Sequence, residues 1–172
     1  MRWLWIDRIV EMTPEKRLVA IKNVTLAEEH LHDHFAAAGG LDALPIVPAT
    51  LLIEGMAQTA GILVGSARDF REKVILAKIS TASFEREVVP GQTVRFEATL
   101  DRIDDAGAVT SGTLWVADSA GGEWESLGRV DLMFSHIDQN QAGIAFPKEN
   151  FVFSKNLLTL LMREANLAPR AE

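Results

Sequence analysis

Residues 48–66 read PATLLIEGMAQTAGILVGS, and this stretch decides the fold. Proline is tolerated at a helix start, where its missing N–H costs nothing, and no second proline interrupts the good helix formers that follow. We therefore predict one helix from Ala49 to Ser66. Its apolar residues point around almost the whole circumference, a pattern typical of a helix enclosed by other structure rather than one lying on a surface.

Segments rich in Val and Ile lie on both sides of this helix. Upstream, Arg8 to Met12 and Arg17 to Thr25 are separated by Thr-Pro-Glu-Lys at 13–16, which predicts a hairpin. Downstream, turn-forming residues separate five strand-like segments. These are Val74 to Ile79, Ser83 to Val89, Thr93 to Ile103, Val109 to Ala117 and Trp124 to Ser135.

One apolar helix and six or seven strands predict an α+β domain in which a curved antiparallel sheet wraps around the helix. We expect the strands of the second half to form a meander and residues 26–47 to form a long loop. This domain spans residues 1–138. Residues 139–172 differ in character and form a predicted C-terminal extension with one helix, for which Ser154 is a plausible N-cap.

Composition narrows the classes of partner. The net charge is −7 and no long run of Lys or Arg occurs, which argues against a nucleic-acid binder. The chain has no cysteine, which removes disulfides, thiol nucleophiles and thiolate metal sites. The first residues lack a signal-peptide pattern, and the apolar stretch around 51–64 is too short and too polar for a membrane span. We expect a cytoplasmic protein without membrane contact.

Glu54 and Gln58 are the unusual residues of the predicted helix. A carboxylate among apolar side chains loses hydration, so it must be protonated, paired or exposed to a cavity. Gln58 lies one turn later on the same face, where its amide can orient the carboxyl group by a direct hydrogen bond or through water. The alternative is that this face of the helix simply reaches solvent.

His34 ends the series His30-x-His32-x-His34. Alternate residues of an extended chain share a face, so a metal site is one interpretation. No companion ligand pattern completes such a site, and loop histidines are commonly surface residues, so we predict no metal site here. Service of His34 as a general acid or base is favoured only when it is combined with Glu54.

Several runs in the right order resemble the bacterial 3-hydroxyacyl-[acyl-carrier-protein] dehydratase family, which has the hotdog fold. The runs DHF, PIVPA and EGMAQ are similar to that family's G-H-F-P, P-x-x-P-G and E-x-x-A-Q motifs. The opening strands and an A-x-F-x-x-x-V-x-P-G run are also similar. The segments lie at 7–11, 19–25, 33–35, 45–49, 54–58 and 82–91.

This resemblance implies a lyase of fatty acid biosynthesis that dehydrates a 3-hydroxyacyl thioester of acyl carrier protein or CoA to a trans-2-enoyl thioester. His34 is the implied base and Glu54 the implied acid, placed across the interface of a homodimer or of a hexamer built as a trimer of dimers. The implied mechanism needs neither a metal nor an organic cofactor. The backbone N–H of Ala49 is expected to stabilise the enolate-like carbonyl. The other expected substrate-binding residues are Gln58, Ile53, Met56 and Ala57, although core packing is an equal alternative for the last three.

The sequence departs from the family's pattern at residues 36–44, which form a longer loop without the proline that normally follows His-Phe. Two alternatives therefore stay open: an acyl thioesterase on the same fold, and a non-catalytic acyl-binding subunit. An acidic carrier protein also requires a local basic patch on a chain of this charge. The candidates for that patch are Arg68, Arg71, Lys73 and Lys78.

Overall fold

The computed structural model describes residues 4–34, 36–119 and 122–136. Six strands and two helices occur in this part of the chain. Their bounds are β1 Arg8–Thr13, β2 Arg17–Asn23, α1 Glu29–Asp33, α2 Ala49–Ser66, β3 Val74–Phe84, β4 Gln92–Ile103, β5 Gly107–Asp118 and β6 Glu125–His136.

The strands form one antiparallel sheet in the order β1-β2-β4-β5-β6-β3. The predicted hairpin is confirmed: β1 pairs with β2, and the turn is closed by the N–H of Lys16 donating to the carbonyl of Thr13. Shifts of register interrupt the ladders of β1, β3, β4 and β5. Such bulges bend strands and increase twist, which allows the sheet to curve around α2.

Alternating side chains of the strands build the core against α2. Val94, Phe96 and Ala98 of β4 are fully buried, and so is Leu132 of β6. The fold requires glycine where α2 approaches β4: a Cβ on Gly55 would lie 2.3 Å from the ring of Phe96. The predicted α+β arrangement, one sheet curved around one long apolar helix, is confirmed, as are the helix bounds.

Three predictions about strands and loops need correction. Segments 74–79 and 83–89 are not two strands, because β3 runs without a break from Val74 to Phe84 and bends through two bulges. Residues 85–89 leave the sheet. The second half is also not a simple meander: β3 pairs with β6 rather than with β4. Finally, the loop predicted for 26–47 contains the short helix α1.

The predicted C-terminal extension lies outside the described residues, together with its helix and Ser154. Within the described part of the chain, neither helix combines the length and the hydropathy needed to cross a membrane.

Candidate active site

A cavity of about 400 Å³ opens beside the N-terminal end of α2. Its walls come from three parts of the chain: His34 at the end of α1, residues 46–52 that lead into and begin α2, and residues 84–88 at and beyond the end of β3. The N–H of Val47 donates to the carbonyl of Val88 (2.8 Å) and joins two of these segments. Most of the lining is apolar, with charged side chains at residues 85–87.

His34 contributes its imidazole to this cavity from the end of α1. Its Nδ1 lies 2.8 Å from the backbone carbonyl of Ile46. Because a carbonyl oxygen can only accept, Nδ1 must carry the proton, and the neutral ring then has its lone pair on Nε2. The contact thus selects the tautomer in which Nε2 can act as a base.

The longer loop after His34 is closed at its base. The N–H of Ile46 donates to the carbonyl of His34 (3.1 Å), so the same two residues are joined twice. At the tip, Gly39 and Gly40 have φ of 60° and 84° and lie between the bridged residues Ala38 and Leu41. Positive φ at two successive residues is typical of a two-residue hairpin turn. The extra residues therefore extend outward from a clamped base and need not displace the histidine.

The helix N-terminus lies in the same wall, and Ala49 lines the cavity. Among the described residues no side chain caps this end of α2. The N–H of Leu51 donates to the Pro48 carbonyl (2.9 Å), which leaves the N–H groups of Ala49 and Thr50 for a ligand oxygen. The motif that Ala49 matches has glycine at this position. Ala49 is not one of the described non-glycine residues with positive φ, so its Cβ causes no backbone strain.

Glu54 and Gln58 lie on the half-exposed face of α2. Of the two arrangements considered, a direct hydrogen bond or one through water, the direct bond is present: Gln58 Nε2 donates to Glu54 Oε1 (2.8 Å). The amide oxygen of Gln58 accepts the backbone N–H of Trp5 (2.9 Å) and, at longer range, that of Ile6 (3.4 Å). The segment before β1 therefore reaches the carboxyl group through the glutamine.

The structure brings together only some of the residues predicted for the site. His34 and Ala49 line one cavity, and among the described residues of its lining Glu54 does not occur. Ile53 and Ala57 lie beside Glu54 on the half-exposed face of α2. Met56 is fully buried and points towards β5, since a Cβ on Gly112 would lie 2.5 Å from its sulfur.

The charges near the cavity differ from those expected for an acidic carrier protein. Glu85 and Glu87 are exposed at the cavity, and Arg86 between them pairs with Glu125. Three candidates for a basic patch, Arg68, Arg71 and Lys73, instead follow the C-terminal end of α2, which is the end opposite the cavity. There, Arg68 pairs with Asp105, Arg71 pairs with Asp69, and Lys73 is 5% exposed.

The metal site considered for the histidine series assumed an extended chain. His30 lies instead in α1, with its ring 5.2 Å from that of Trp5. Within the ranges that the structure describes, no group of three or more His, Asp or Glu side chains is arranged to hold a metal ion.

Two contributors to the site are not apparent from single residues. The carbonyl of Ile46 orients His34, and the backbone of Trp5 and Ile6 holds Gln58. Backbone groups have no sequence signature, so no pattern could have identified them. Val88 belongs to the V-x-P-G run and could have been predicted as a site residue. The strand predicted for 83–89 placed it in the sheet instead of in the cavity wall.

Comparison with known proteins supports the family suggested by the sequence motifs. Residues 1–121 match the model of the FabA-like domain. A 3-hydroxyacyl-[acyl-carrier-protein] dehydratase FabZ from Clostridium kluyveri is 32% identical over 139 residues, covering 80% of this chain and 88% of the relative. The protein of the same name from Symbiobacterium thermophilum is 34% identical over 137 residues, covering 79% and 88%.

Solved structures confirm the hotdog fold. An acyl-CoA hydrolase from Agrobacterium tumefaciens superposes with a TM-score of 0.56 at 18% identity, covering 74% of this chain and 46% of that one. AziG from S. sahachiroi superposes with a TM-score of 0.53 at 16% identity, covering 75% and 89%. At these identities the likeness concerns the fold alone. The family model and the curated relatives together establish that the chain belongs to the FabA-like family.

Proposed function

We propose that this protein dehydrates a 3-hydroxyacyl thioester to a trans-2-enoyl thioester in fatty acid biosynthesis. The observation that carries the proposal is the hydrogen bond between His34 and the Ile46 carbonyl, because it selects the tautomer in which a neutral imidazole has its lone pair on Nε2, at a residue that lines a mostly apolar cavity. Membership of the FabA-like family and the dehydratase names of the curated relatives support the same reaction. Those relatives are hydro-lyases by name.

The proposed chemistry conserves atoms and charge. His34 Nε2 removes a proton from C2 of the acyl chain, and the C–H electron pair becomes the C2=C3 double bond. The C3–O bond breaks while Glu54 donates a proton to the departing hydroxyl group, so the products are the enoyl thioester and water. An N–H at the start of α2, near Ala49, stabilises the negative charge that develops on the thioester oxygen.

A second copy of the chain supplies the acid in this proposal. Glu54 does not occur among the described residues that line the His34 cavity of its own chain. The edge strand β3 supports a subunit interface, because it pairs only with β6 in the described sheet and exposes Ile75, Leu76 and Ile79 by 39%, 40% and 45%. A second copy covering this edge would bury the apolar residues and extend the sheet.

The carrier of the acyl group is acyl carrier protein or CoA. The dehydratase relatives are named for the carrier protein, whereas the solved structures include an acyl-CoA hydrolase from Staphylococcus aureus in complex with butyryl coenzyme A. Comparing the two carriers on the same acyl chain tests this part of the proposal.

The test is formation of the enoyl product from matched 3-hydroxyacyl carrier-protein and CoA substrates. We expect His34→Ala and Glu54→Gln each to lower kcat by about 10²–10⁴-fold, because each removes a proton-transfer group. Glu29→Gln is the matched control, since it removes an exposed carboxylate on α1. An equimolar mixture of the two inactive variants, refolded together, should recover part of the activity, because a mixed dimer contains one intact pair.

The alternatives predict different products. Release of a free thiol without an enoyl product would make the chain a thioesterase. Tight binding of the acyl thioester without turnover, unaffected by either substitution, would make it a binding subunit. Either result would overturn the dehydration proposal.

A further inference from the structure

We propose that Gln58 is a positioning residue, locked by the backbone of Trp5 and Ile6, which directs the transferable proton of Glu54 onto Oε2. The inference rests on the proposed dehydration. It assigns the segment before β1, through the backbone of Trp5 and Ile6, a role in positioning the catalytic acid. Gln58 acts here through Glu54 and not by touching the substrate.

The orientation of the amide follows from its neighbours. Gln58 Oε1 lies 2.9 Å from the backbone nitrogen of Trp5 and 3.4 Å from that of Ile6. Both nitrogens carry a proton and can only donate. A flipped amide would point its own NH₂ at these two donors, so the backbone excludes the flip and the NH₂ must face Glu54.

This orientation determines which carboxyl oxygen carries the proton. Glu54 Oε1 accepts from Gln58 Nε2 at 2.8 Å. In a protonated carboxyl group the carbonyl oxygen is the better acceptor and the other oxygen is the donor. The hydrogen bond therefore makes Oε1 the carbonyl oxygen and leaves Oε2 to donate the proton to a departing hydroxyl group.

The segment that holds Gln58 is itself rigidly placed. Trp5 and Ile6 are 3% and 1% exposed, and the N–H of Asp7 donates to the carbonyl of Ile21 (2.8 Å). Trp5 approaches α2 closely because residue 55 is glycine: a Cβ there would lie 2.8 Å from Trp5 Cδ1. The lock thus depends on packing between the N-terminal segment and α2, and the four-residue spacing of Glu54 and Gln58 completes it.

Two substitutions of Gln58 separate a positioning role from a structural one. Gln58→Leu removes the donor at every pH, so we expect kcat to fall about 10–100-fold while KM stays within about twofold, as is typical of a misplaced catalytic group. Gln58→Glu preserves shape. Its introduced carboxyl group, when protonated, can donate to Glu54 and still accept from Trp5, whereas when ionised it loses the donor and repels a second carboxylate.

The decisive readout is the pH dependence of kcat for Gln58→Glu relative to wild type. We expect near wild-type activity at the acidic end of the profile and a reversible loss as pH rises, reaching about the level of Gln58→Leu. A role limited to folding would lower activity by a constant factor. Circular dichroism and thermal melts at both ends of the profile verify that each variant remains folded.

Gln92→Glu is the matched control. Gln92 makes the same kind of bridge, with its Oε1 accepting the N–H of Val89 (3.1 Å) and its Nε2 donating to Asp118 (3.4 Å). It does not occur among the described residues that line the cavity. Its substitution should leave the pH profile of kcat unchanged.

The outcomes distinguish this inference from the proposed function. If wild type dehydrates its substrate and Glu54→Gln does not, but Gln58→Leu retains kcat or Gln58→Glu loses activity equally at all pH, the positioning role is overturned and dehydration stands. If wild type forms no enoyl product, the proposed function fails first and the inference fails with it.

Discussion

The two halves of α2 are similarly apolar in sequence but differ in their surroundings. All residues from Thr59 to Gly65 are buried by the sheet. In the first half, by contrast, Ile53, Glu54, Ala57 and Gln58 form a half-exposed face, and Ala49 is exposed at the cavity. The difference teaches that one continuous apolar helix can be core at one end and candidate active site at the other.

The distribution of polar side chains along α2 agrees with this division. Desolvating a carboxylate is costly, so a group such as Glu54 is tolerated where solvent or a second subunit can reach it. In the enclosed half the polar side chain of Thr59 satisfies itself by donating to the carbonyl of Gly55 (2.7 Å). In the half that borders the cavity, Glu54 and Gln58 are bonded to each other, and Gln58 is also bonded to the N-terminal segment.

The largest effect is expected in the enclosed half of α2, Thr59 to Gly65, where truncating a buried side chain tests whether this half belongs to the core. Leu63→Ala should lower the free energy of unfolding by about 3 kcal/mol, because truncating this fully buried side chain leaves a cavity in the core. Ile53→Ala should lower the free energy of unfolding by less than half of this amount at low protein concentration. If a second copy of the chain covers Ile53, the loss should grow as the protein concentration rises. Urea denaturation at two protein concentrations measures the loss of unfolding free energy for each variant. Equal losses for the two variants at both concentrations would contradict the difference between the two halves of α2.

A smaller effect is expected at the cavity that borders the first half of α2. Glu85 and Glu87 lie in the lining of this cavity. Replacing either with lysine should raise kcat/KM for a 3-hydroxyacyl-CoA by about threefold to tenfold at low ionic strength, because the carrier is anionic. High salt should reduce the gain, and a neutral short thioester should show none. The matched substitution Glu15→Lys, at the exposed β1–β2 turn, is the control, and a gain equal to that of the cavity variants would exclude a local effect.

The smallest effect concerns a surface ion pair remote from both halves. Arg17 bonds Glu11 and Glu97, and its hydrogen bond is the main reason that the pKa of Glu11 is lowered. A lowered folded-state pKa means that the pair stabilises the protein above the unfolded pKa of 4.5 and loses this contribution as pH falls through the folded value. Because Glu11 is exposed and Arg17 is partly exposed, Glu11→Gln should cost about 0.5 kcal/mol or less at neutral pH and nothing in acid. Thermal melts of wild type and variant at neutral pH and in acid measure the difference in stability. A difference that persists in acid would indicate an effect of packing.

The fold was largely predictable, since helix periodicity and turn residues are local signals. The helix bounds and the first hairpin were predicted correctly. The order of the strands was not, because pairing of β3 with β6 depends on contacts distant in sequence. The same reason explains residues 85–89: their Val-rich pattern is compatible with a strand, but Val88 is buried against the segment at Val47 instead of in the sheet.

The sequence by itself determined the apolar helix, the β character of the flanking segments, the family and the spacing of Glu54 and Gln58, because each depends on residue identity over short distances. Only the tertiary structure decided the tautomer of His34, the clamped base of its loop, and the lock of Trp5 and Ile6 on Gln58. These features are made by backbone N–H and C=O groups. Every residue carries such groups, so only the folded geometry determines which of them meet the reactive side chains.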